Sequence, residues 1–302
     1  MNDQKILVIT GPTASGKTTL GVACARAFGG EIVSADSRQL YRGMDLGTGK
    51  DLEEYGDVPY HMIDIVPAGY HYNLFEYLRD ARAAIAGISG RGRMPVIVGG
   101  TGLYVESLLN GFYLPEVPVN APLRASLQDK SLEELTAILS SMKKLHNTTD
   151  VDTAKRAIRA IEIATYYHDH PEEAAGTKPR PIDNAVIVGV DIPRDERRKR
   201  ISHRLKARID AGMIDEVKSL IASGVHPDDL IYYGLEYKYL TEFVIGRISY
   251  CEMIVQLETA IHQFAKRQMT WFRGMERRGH HIHWIPYNTP ADEFVSMVND
   301  LL

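Results

Sequence analysis

Short apolar runs separated by longer amphipathic segments dominate both ends of the chain. These runs lie at residues 6–9, 32–33, 95–98, 185–190 and 281–285. Most are rich in Val and Ile, which is typical of strands buried on both faces of a parallel sheet. Helical patterns lie between them, notably over 74–88 and 103–109. The alternation predicts an α/β fold in which a parallel sheet is flanked by helices.

The pattern changes in the middle of the chain. Between residues 113 and 183 no strand-like run occurs, prolines border both ends, and polar helical stretches cover 131–142 and 151–167. We therefore expect an inserted helical lobe at 113–183. The α/β core is then formed by 1–112 and 184–302, with mostly helical sequence after the strand at 185–190.

A glycine-containing segment directly follows the first predicted strand. Residues 11–18 read GPTASGKT and fit the phosphate-loop pattern G-x-x-x-x-G-K-[ST] in full. In such a loop, backbone N–H groups and the N-terminus of the following helix surround phosphate oxygens. Lys17 is expected to neutralise a terminal phosphate, and the Thr18 hydroxyl suits Mg²⁺. The fold predicted is thus a P-loop NTPase-like core, whose polyphosphate would contact Gly11, Pro12, Thr13, Ala14, Ser15, Gly16, Lys17 and Thr18.

Two other predicted strands end in polar residues. The strand at 32–33 leads into Asp36, and the strand at 95–98 leads into a Gly-Gly-Thr-Gly segment that contains Thr101. The carboxyl ends of parallel strands share one edge of the sheet, so Asp36 and Thr101 should flank the phosphate loop. The small residues before Thr101 indicate a close backbone approach, and hydrolytic P-loop ATPases usually carry an acidic residue there.

Composition narrows the class of protein. The chain has 302 residues, of which 44% are hydrophobic and 25% charged, a globular profile. No apolar run approaches the roughly 18 residues of a membrane span. Its two cysteines, Cys24 and Cys251, suit a reducing cytosol. We therefore expect a cytoplasmic protein that has no membrane partner.

Charge is unevenly distributed along the chain. The formal net charge is −4, so no overall positive field indicates a nucleic-acid partner. Two segments are nevertheless strongly basic, 194–208 and 266–278, and such stripes can follow a phosphate backbone. The acidic tract at 51–54 is interpreted as a solvated loop.

Four motifs, in this order, resemble those of the tRNA dimethylallyltransferase family, also called tRNA isopentenyltransferases. They are GPTASGKT at 11–18, SADSRQLYRGMDLGTGK at 34–50, VGGTGLY at 98–104 and AKRQMTWFR at 265–273. The resemblance implies transfer of a dimethylallyl group from dimethylallyl diphosphate to N6 of the adenosine 3′ of the anticodon, with release of diphosphate. It also implies tRNA and dimethylallyl diphosphate as partners and Mg²⁺ as cofactor, and we expect a monomer.

The same resemblance implies roles for individual residues. Asp36 would accept a proton or a hydrogen bond from the adenine N6, and Thr101 would lie beside the leaving oxygen. Lys17 and Arg204 would balance the charge that develops on the diphosphate. The target base would have to leave its stack to reach them. The implied tRNA contacts are Asp36, Ser37, Arg38, Gln39, Thr101, Arg124, Lys155, Arg156, Ala157, Ile158 and Arg159.

The sequence departs from the family at one motif and leaves other functions open. Where the bacterial family has an Ile-Gly-Tyr motif, residues 232–237 read Tyr-Tyr-Gly-Leu-Glu-Tyr. An adenylate isopentenyltransferase acting on free AMP, ADP or ATP would leave the basic stripes without an RNA role. A P-loop small-molecule kinase would not explain the Gly-Gly-Thr segment. An inactive RNA-binding relative would not need Lys17, Thr18, Asp36 and Thr101.

Overall fold

A computed structural model describes residues 5–112, 116–145, 149–175 and 180–302. The strands are β1 Ile6–Thr10, β2 Glu31–Ser34, β3 Tyr41–Arg42, β4 Tyr60–His61, β5 Val66–Pro67, β6 Pro95–Gly99, β7 Ala185–Asp191 and β8 Ile282–Pro286. The α-helices are α1 Lys17–Ala27, α2 Leu74–Gly90, α3 Gly102–Leu109, α4 Ala121–Leu127, α5 Leu132–Met142, α6 Ala154–Asp169, α7 Pro171–Ala175, α8 Arg194–Asp210, α9 Met213–Ala222, α10 Pro227–Tyr233, α11 Leu235–Val244, α12 Tyr250–Arg277 and α13 Ala291–Leu301. Two short 3₁₀ helices cover Leu52–Tyr55 and Thr149–Val151.

The main sheet has six strands in the order β4-β2-β6-β1-β7-β8, and every pairing is parallel. Strand β1 lies between β6 and β7, so that Thr10 is in register with both Gly99 and Gly189. The Thr10 hydroxyl also donates to the Gly99 carbonyl across 2.9 Å. This arrangement confirms the predicted parallel α/β sheet. It also brings the carboxyl ends of β1, β2 and β6 to one edge.

Helices cover both faces of the sheet because alternate strand residues point to opposite sides. On one face Val8 and Ile97 pack with buried side chains of α2, α3 and α12, including Phe272. On the other face Ile9 and Val98 pack with α1 and α13. Each fully buried aliphatic side chain contributes roughly 1.5–3 kcal/mol, so both layers stabilise the strand ends that carry the polar residues.

The three two-residue strands β3, β4 and β5 were not predicted, since two residues give no periodicity to recognise. A buried lysine organises this part of the chain. Lys50 Nζ donates to the Tyr41 carbonyl at 2.6 Å and to Asp45 Oδ1 at 2.7 Å, and it pairs with Asp64. Because the Lys50 side chain is only 1% exposed, these three oxygens replace its water. They tie together the loops that follow β2.

The chain divides into two compact units. The first comprises Met1–Asn110 and Pro181–Leu302, and the second comprises Gly111–Arg180. The second unit contains α4 to α7 and has its own small apolar core, formed by Leu127, Leu135, Leu139, Ala157, Ala160 and Ile161. Among the described residues, no helix is both long and apolar enough to cross a membrane.

An ion cluster around the buried Glu162 joins α4 to α6 within the second unit. Glu162 accepts hydrogen bonds from Arg124 Nε at 2.9 Å and Nη2 at 2.8 Å, pairs with Arg159, and accepts the Asn120 N–H at 2.6 Å. Burial alone would raise the pKa of Glu162, but the hydrogen bonds from Arg124 and Arg159 lower it to about 2. The carboxylate is therefore ionised throughout the neutral range.

We expect Glu162→Gln to destabilise this unit by about 2 kcal/mol, because a charge-assisted cluster is lost. The folded pKa of Glu162 lies below that of the unfolded chain. Its contribution is therefore complete above about pH 4.5 and disappears as the pH falls through about 2. Hydrogen exchange of the intact chain measures this, through faster exchange in α4–α6 and unchanged exchange in β1. Equal exchange rates of α4–α6 in the wild type and in Glu162→Gln at pH 7 would contradict this prediction.

Candidate active site

The phosphate loop connects the end of β1 to the start of α1. Gly16 immediately precedes the helix with φ 87°, a left-handed conformation that glycine adopts without strain. Ala14 adopts the same region with φ 63°, although it carries a Cβ. The Ser15 hydroxyl is buried and has no hydrogen-bond partner among the described residues. The loop thus presents the N-terminus of α1, which is suited to an anion.

A small polar cavity of about 90 Å³ adjoins this loop. It is lined by Thr13, Ala14, Gly16, Lys17, Thr18, Thr19, Asp36, Gln39, Thr48, Gly49, Asp51, Glu54, Tyr55, Val98, Gly99 and Arg204. The predicted residues Lys17, Thr18, Asp36 and Arg204 therefore share one cavity, although they come from distant parts of the chain. No role at the site was predicted from the sequence for Thr48, Gly49, Asp51 and Glu54, which also line the cavity.

Three cations crowd one side of the cavity. Burial, followed by repulsion from Arg204 and Arg208, lowers the pKa of Lys17 to about 8, and Asp36 only partly opposes this shift. Burial and repulsion from Arg208 also lower the pKa of Arg204 to about 10. Arg204 Nη2 donates to the Thr13 hydroxyl, and Arg208 pairs with Asp51 at 3.0 Å. An anion in the cavity would relieve the repulsion among these cations.

The two glycines before Thr101 are required because other parts of the chain approach their backbone closely, as predicted from the sequence. A Cβ on Gly99 would collide with the backbone of Ala35, and one on Gly100 with the amide of Gln268. Gln268 itself is buried in α12 and links two loops. Its Oε1 accepts the Thr13 N–H at 2.8 Å, and its Nε2 donates to the Gly100 carbonyl at 2.9 Å. Nothing in the local sequence around Gln268 indicates this contact.

Asp36 and Thr101 lie close to each other at the ends of β2 and β6. The Thr101 hydroxyl accepts the Ser37 N–H at 3.0 Å, and Asp36 Oδ1 accepts the Arg38 N–H at 3.1 Å. Gln39 accepts a hydrogen bond from the Ser34 hydroxyl. Asp36 and Gln39 line the cavity, whereas Thr101 stands beside them and does not line it.

The acidic tract at 51–54 is solvated, as interpreted, because Asp51, Glu53 and Glu54 are exposed, but it is not an irregular loop. Leu52–Tyr55 forms a 3₁₀ helix whose Tyr55 is buried, and Glu54 accepts a hydrogen bond from the Thr19 hydroxyl at 2.9 Å. Asp51 and Glu54 both line the cavity. The cause is the buried Tyr55, which anchors the tract against α1.

The predicted tRNA-contact residues of the second unit fall into two groups. Arg124 and Arg159 belong to the Glu162 cluster, and Ala157 and Ile158 pack in the apolar core of this unit. On the same helix Arg156 is exposed and pairs with Asp152 at 2.9 Å, and Lys155 is exposed as well. Only Lys155 and Arg156 of this α6 segment present cationic groups that are not part of the Glu162 cluster.

Oxygen donors at the cavity fit a magnesium ion. The Thr18 hydroxyl and the carboxylates of Asp36, Asp51 and Glu54 line the same space. Mg²⁺ is usually held by one or two carboxylate or hydroxyl oxygens together with substrate phosphates, not by a complete protein cage. The described residues contain no cluster of three or more His, Cys, Asp or Glu with the geometry of a metal site.

Comparison with known proteins identifies the family. A family model described as IPP transferase matches residues 39–275, and one described as isopentenyl transferase matches residues 4–55. The tRNA dimethylallyltransferase 2 of Bacteroides fragilis is 58% identical over an alignment of 306 residues, which covers 100% of this chain and 99% of that protein.

Solved structures agree with these matches. The tRNA isopentenylpyrophosphate transferase from Bacillus halodurans is 31% identical with a TM-score of 0.71, and the alignment covers 99% of this chain and 95% of that one. A eukaryotic dimethylallyltransferase acting on tRNA shares the fold with a TM-score of 0.84 at 20% identity, over 99% of this chain and 79% of that one. These matches confirm the resemblance carried by the four motifs, and the chain belongs to the IPP transferase family.

Proposed function

We propose that the protein transfers a dimethylallyl group from dimethylallyl diphosphate to N6 of the adenosine 3′ of the anticodon in tRNA. The observation that carries this proposal is the cavity at the phosphate loop, where Lys17 and Arg204 are held close together with lowered pKa values. Such a site is suited to a diphosphate. The names of the similar proteins supply the group transferred and the acceptor.

The leaving diphosphate is the group that the cavity would stabilise. As the allylic C–O bond breaks, negative charge grows on the departing oxygen, and Lys17 and Arg204 would hold that charge. Donors that the protein already holds in place stabilise the transition state more than mobile water does, because they need no reorganisation during the reaction. The N-terminus of α1 adds neutral N–H donors to the same anion.

Asp36 would act on the other reactant. The adenine N6 forms the new bond to the allylic carbon and loses a proton, which the Asp36 carboxylate accepts directly or passes to water. The amine is a weak nucleophile, so its alignment by Asp36 matters as much as the proton transfer. The contact between Thr101 and Ser37 would keep Asp36 at the edge of the cavity.

Mg²⁺ would be held by the Thr18 hydroxyl and a neighbouring carboxylate of the cavity. When bound, it supplies further positive charge to the diphosphate oxygens. Transfer activity should therefore be lost when EDTA removes divalent ions and should return when Mg²⁺ is added.

A basic groove on the first unit would bind the tRNA backbone. This groove has a volume of about 640 Å³ and includes Arg194, Arg197, Arg198, Lys266 and Arg273 among its lining residues. Burial and repulsion from Arg194 and Arg273 lower the pKa of Arg197, and Asp191 only partly opposes this shift. Asp191 is the one acidic residue among the described lining residues. The groove combines the two basic stripes of the sequence.

An acceptor assay tests the proposal. Purified protein with Mg²⁺ and labelled dimethylallyl diphosphate is offered unmodified tRNA in parallel with AMP, ADP and ATP. We expect label in tRNA alone. Label in a free nucleotide would instead establish an adenylate isopentenyltransferase, and phosphoryl transfer from ATP to a small molecule would establish a kinase.

We also propose that the protein acts as a monomer in the cytoplasm. Its mass in solution tests the oligomeric state.

We expect the double substitution Lys155→Gln with Arg156→Gln to weaken tRNA binding by about tenfold and to flatten its salt dependence, because two phosphate contacts are lost. Arg159 is left intact, since its replacement would disturb the Glu162 cluster. The matched control is Lys130→Gln with Lys144→Gln, which removes the same charge elsewhere on the second unit. Equal tRNA affinity in both double variants would show that this face of α6 does not contact RNA.

A further inference from the structure

The segment that departs from the family motif has a distinctive backbone. Helices α10 and α11 are separated by Gly234 alone, which has φ 75°, and the next residue, Leu235, has φ 41°. A positive φ is unfavourable for a residue with a branched side chain, and it persists only where surrounding contacts enforce it. Here the Tyr233 hydroxyl accepts the Gly69 N–H and donates to the Tyr70 carbonyl, both at 2.8 Å. The junction thereby places Glu236 in the first turn of α11.

Glu236 holds the side chain of Arg38. Arg38 Nη1 donates to Glu236 Oε2 at 2.5 Å, and the two side chains are only 18% and 12% exposed. The guanidinium also lies 5.4 Å from the centre of the Phe264 ring and donates to the Tyr233 carbonyl at 3.4 Å. Ion pairs exposed to water contribute little to stability. Removing one partner of an ion pair that is shielded from water is strongly destabilising, because it leaves an uncompensated charge.

Arg38 is the link between Glu236 and Asp36. The segment 36–39 is fixed at three points, through Ser37 by Thr101, through Gln39 by Ser34, and through Arg38 by Glu236. The backbone N–H of Arg38 donates to Asp36 Oδ1. Anchoring the Arg38 side chain therefore also fixes the direction of the N–H group that orients the Asp36 carboxylate.

We infer that Glu236 is a positioning residue for the transfer reaction, which orients Asp36 by holding Arg38. The inference rests on the proposed function, because it assigns to Asp36 the contact with the acceptor amine. Glu236 itself does not line the cavity at the phosphate loop, so it would not touch a donor bound there. Its charge still reaches that cavity, where it raises the pKa of Arg204 against the lowering by burial.

A double-mutant cycle tests the inference. We expect Glu236→Ala to lower kcat at saturating tRNA by about tenfold, with KM for dimethylallyl diphosphate unchanged, since one charge-assisted contact is lost. Arg38→Met should lower kcat by a similar factor, because it removes the other half of the pair. The double variant should lose about tenfold and not about 100-fold, since both changes break the same link.

Other outcomes would overturn it. Additive losses of kcat in the double variant would show that Glu236 acts independently of Arg38. A wild-type kcat with a lower KM for tRNA in Glu236→Ala would show that Glu236 instead restrains Arg38 from binding RNA.

The kcat of Glu236→Gln, which keeps the shape and an acceptor, should lie between those of the wild type and Glu236→Ala, and this variant guards against simple misfolding. Asp57→Ala, which breaks the exposed pair with Arg26, is the matched control and should keep full activity. If the wild type itself fails to prenylate tRNA, the proposed function fails and not this inference alone.

Discussion

Replacing Lys17 by Met should lower kcat/KM for dimethylallyl diphosphate by about 100-fold, because a buried cation opposite the leaving diphosphate is removed. The rates are measured at saturating tRNA with the donor varied. Tyr77→Phe serves as the control, since the ring does not line the cavity and its hydroxyl makes a long contact of 3.4 Å with the Ser34 carbonyl. Full donor affinity in Lys17→Met would remove the phosphate loop from the mechanism.

The pKa of Lys17 predicts how kcat/KM for the donor depends on pH. Burial, together with Arg204 and Arg208, lowers the pKa of Lys17 to about 8, so the free protein loses this positive charge as the pH rises above that value. Since kcat/KM reports ionisations of the free enzyme, it should fall above pH 8 in the wild type. Lys17→Arg retains its charge and should show no such decline. A decline of equal size in both proteins would assign the ionisation to another group.

Replacing Asp36 by Asn should lower kcat by about 100-fold, within the range for loss of a general base, while KM for the donor changes by less than about twofold. The amide keeps the shape of the carboxylate and an acceptor for the Arg38 N–H, so the loop itself should remain in place. Single-turnover transfer to tRNA measures the chemical step directly. The exposed Asp57→Asn is the matched control, and an unchanged rate in Asp36→Asn would show that Asp36 takes no part in the chemistry.

The strands of the core were predictable because burial on both faces leaves a strong sequence pattern. Val8, Ile97 and Val188 are fully or almost fully buried, and each lies in a run of consecutive apolar residues. The phosphate loop was predictable for a different reason, since its geometry needs glycines and a lysine at fixed spacing. The edge position of Asp36 followed from the rule that parallel strands end together.

Contacts between distant residues left no comparable pattern. Gln268 looks like any polar residue of an amphipathic helix, and only the fold shows that its amide meets Thr13 and Gly100. The same holds for Glu236, whose partner Arg38 lies 198 residues away. Tyr55 gave no signal either, because a lone aromatic residue within an acidic tract does not reveal what it packs against. Such pairings depend on topology, which local periodicity does not encode.

The position of α12 has a consequence for biosynthesis. The Gln268 amide joins the phosphate loop to the segment after β6, and its contact with Thr13 spans 255 residues of chain. A ribosome releases β1 and the phosphate loop long before α12, and domains acquire such nonlocal contacts late. The nascent polypeptide therefore cannot join the two loops through Gln268 until α12 has been synthesised. The link between the phosphate loop and the segment after β6 is consequently completed only after α12 has left the ribosome.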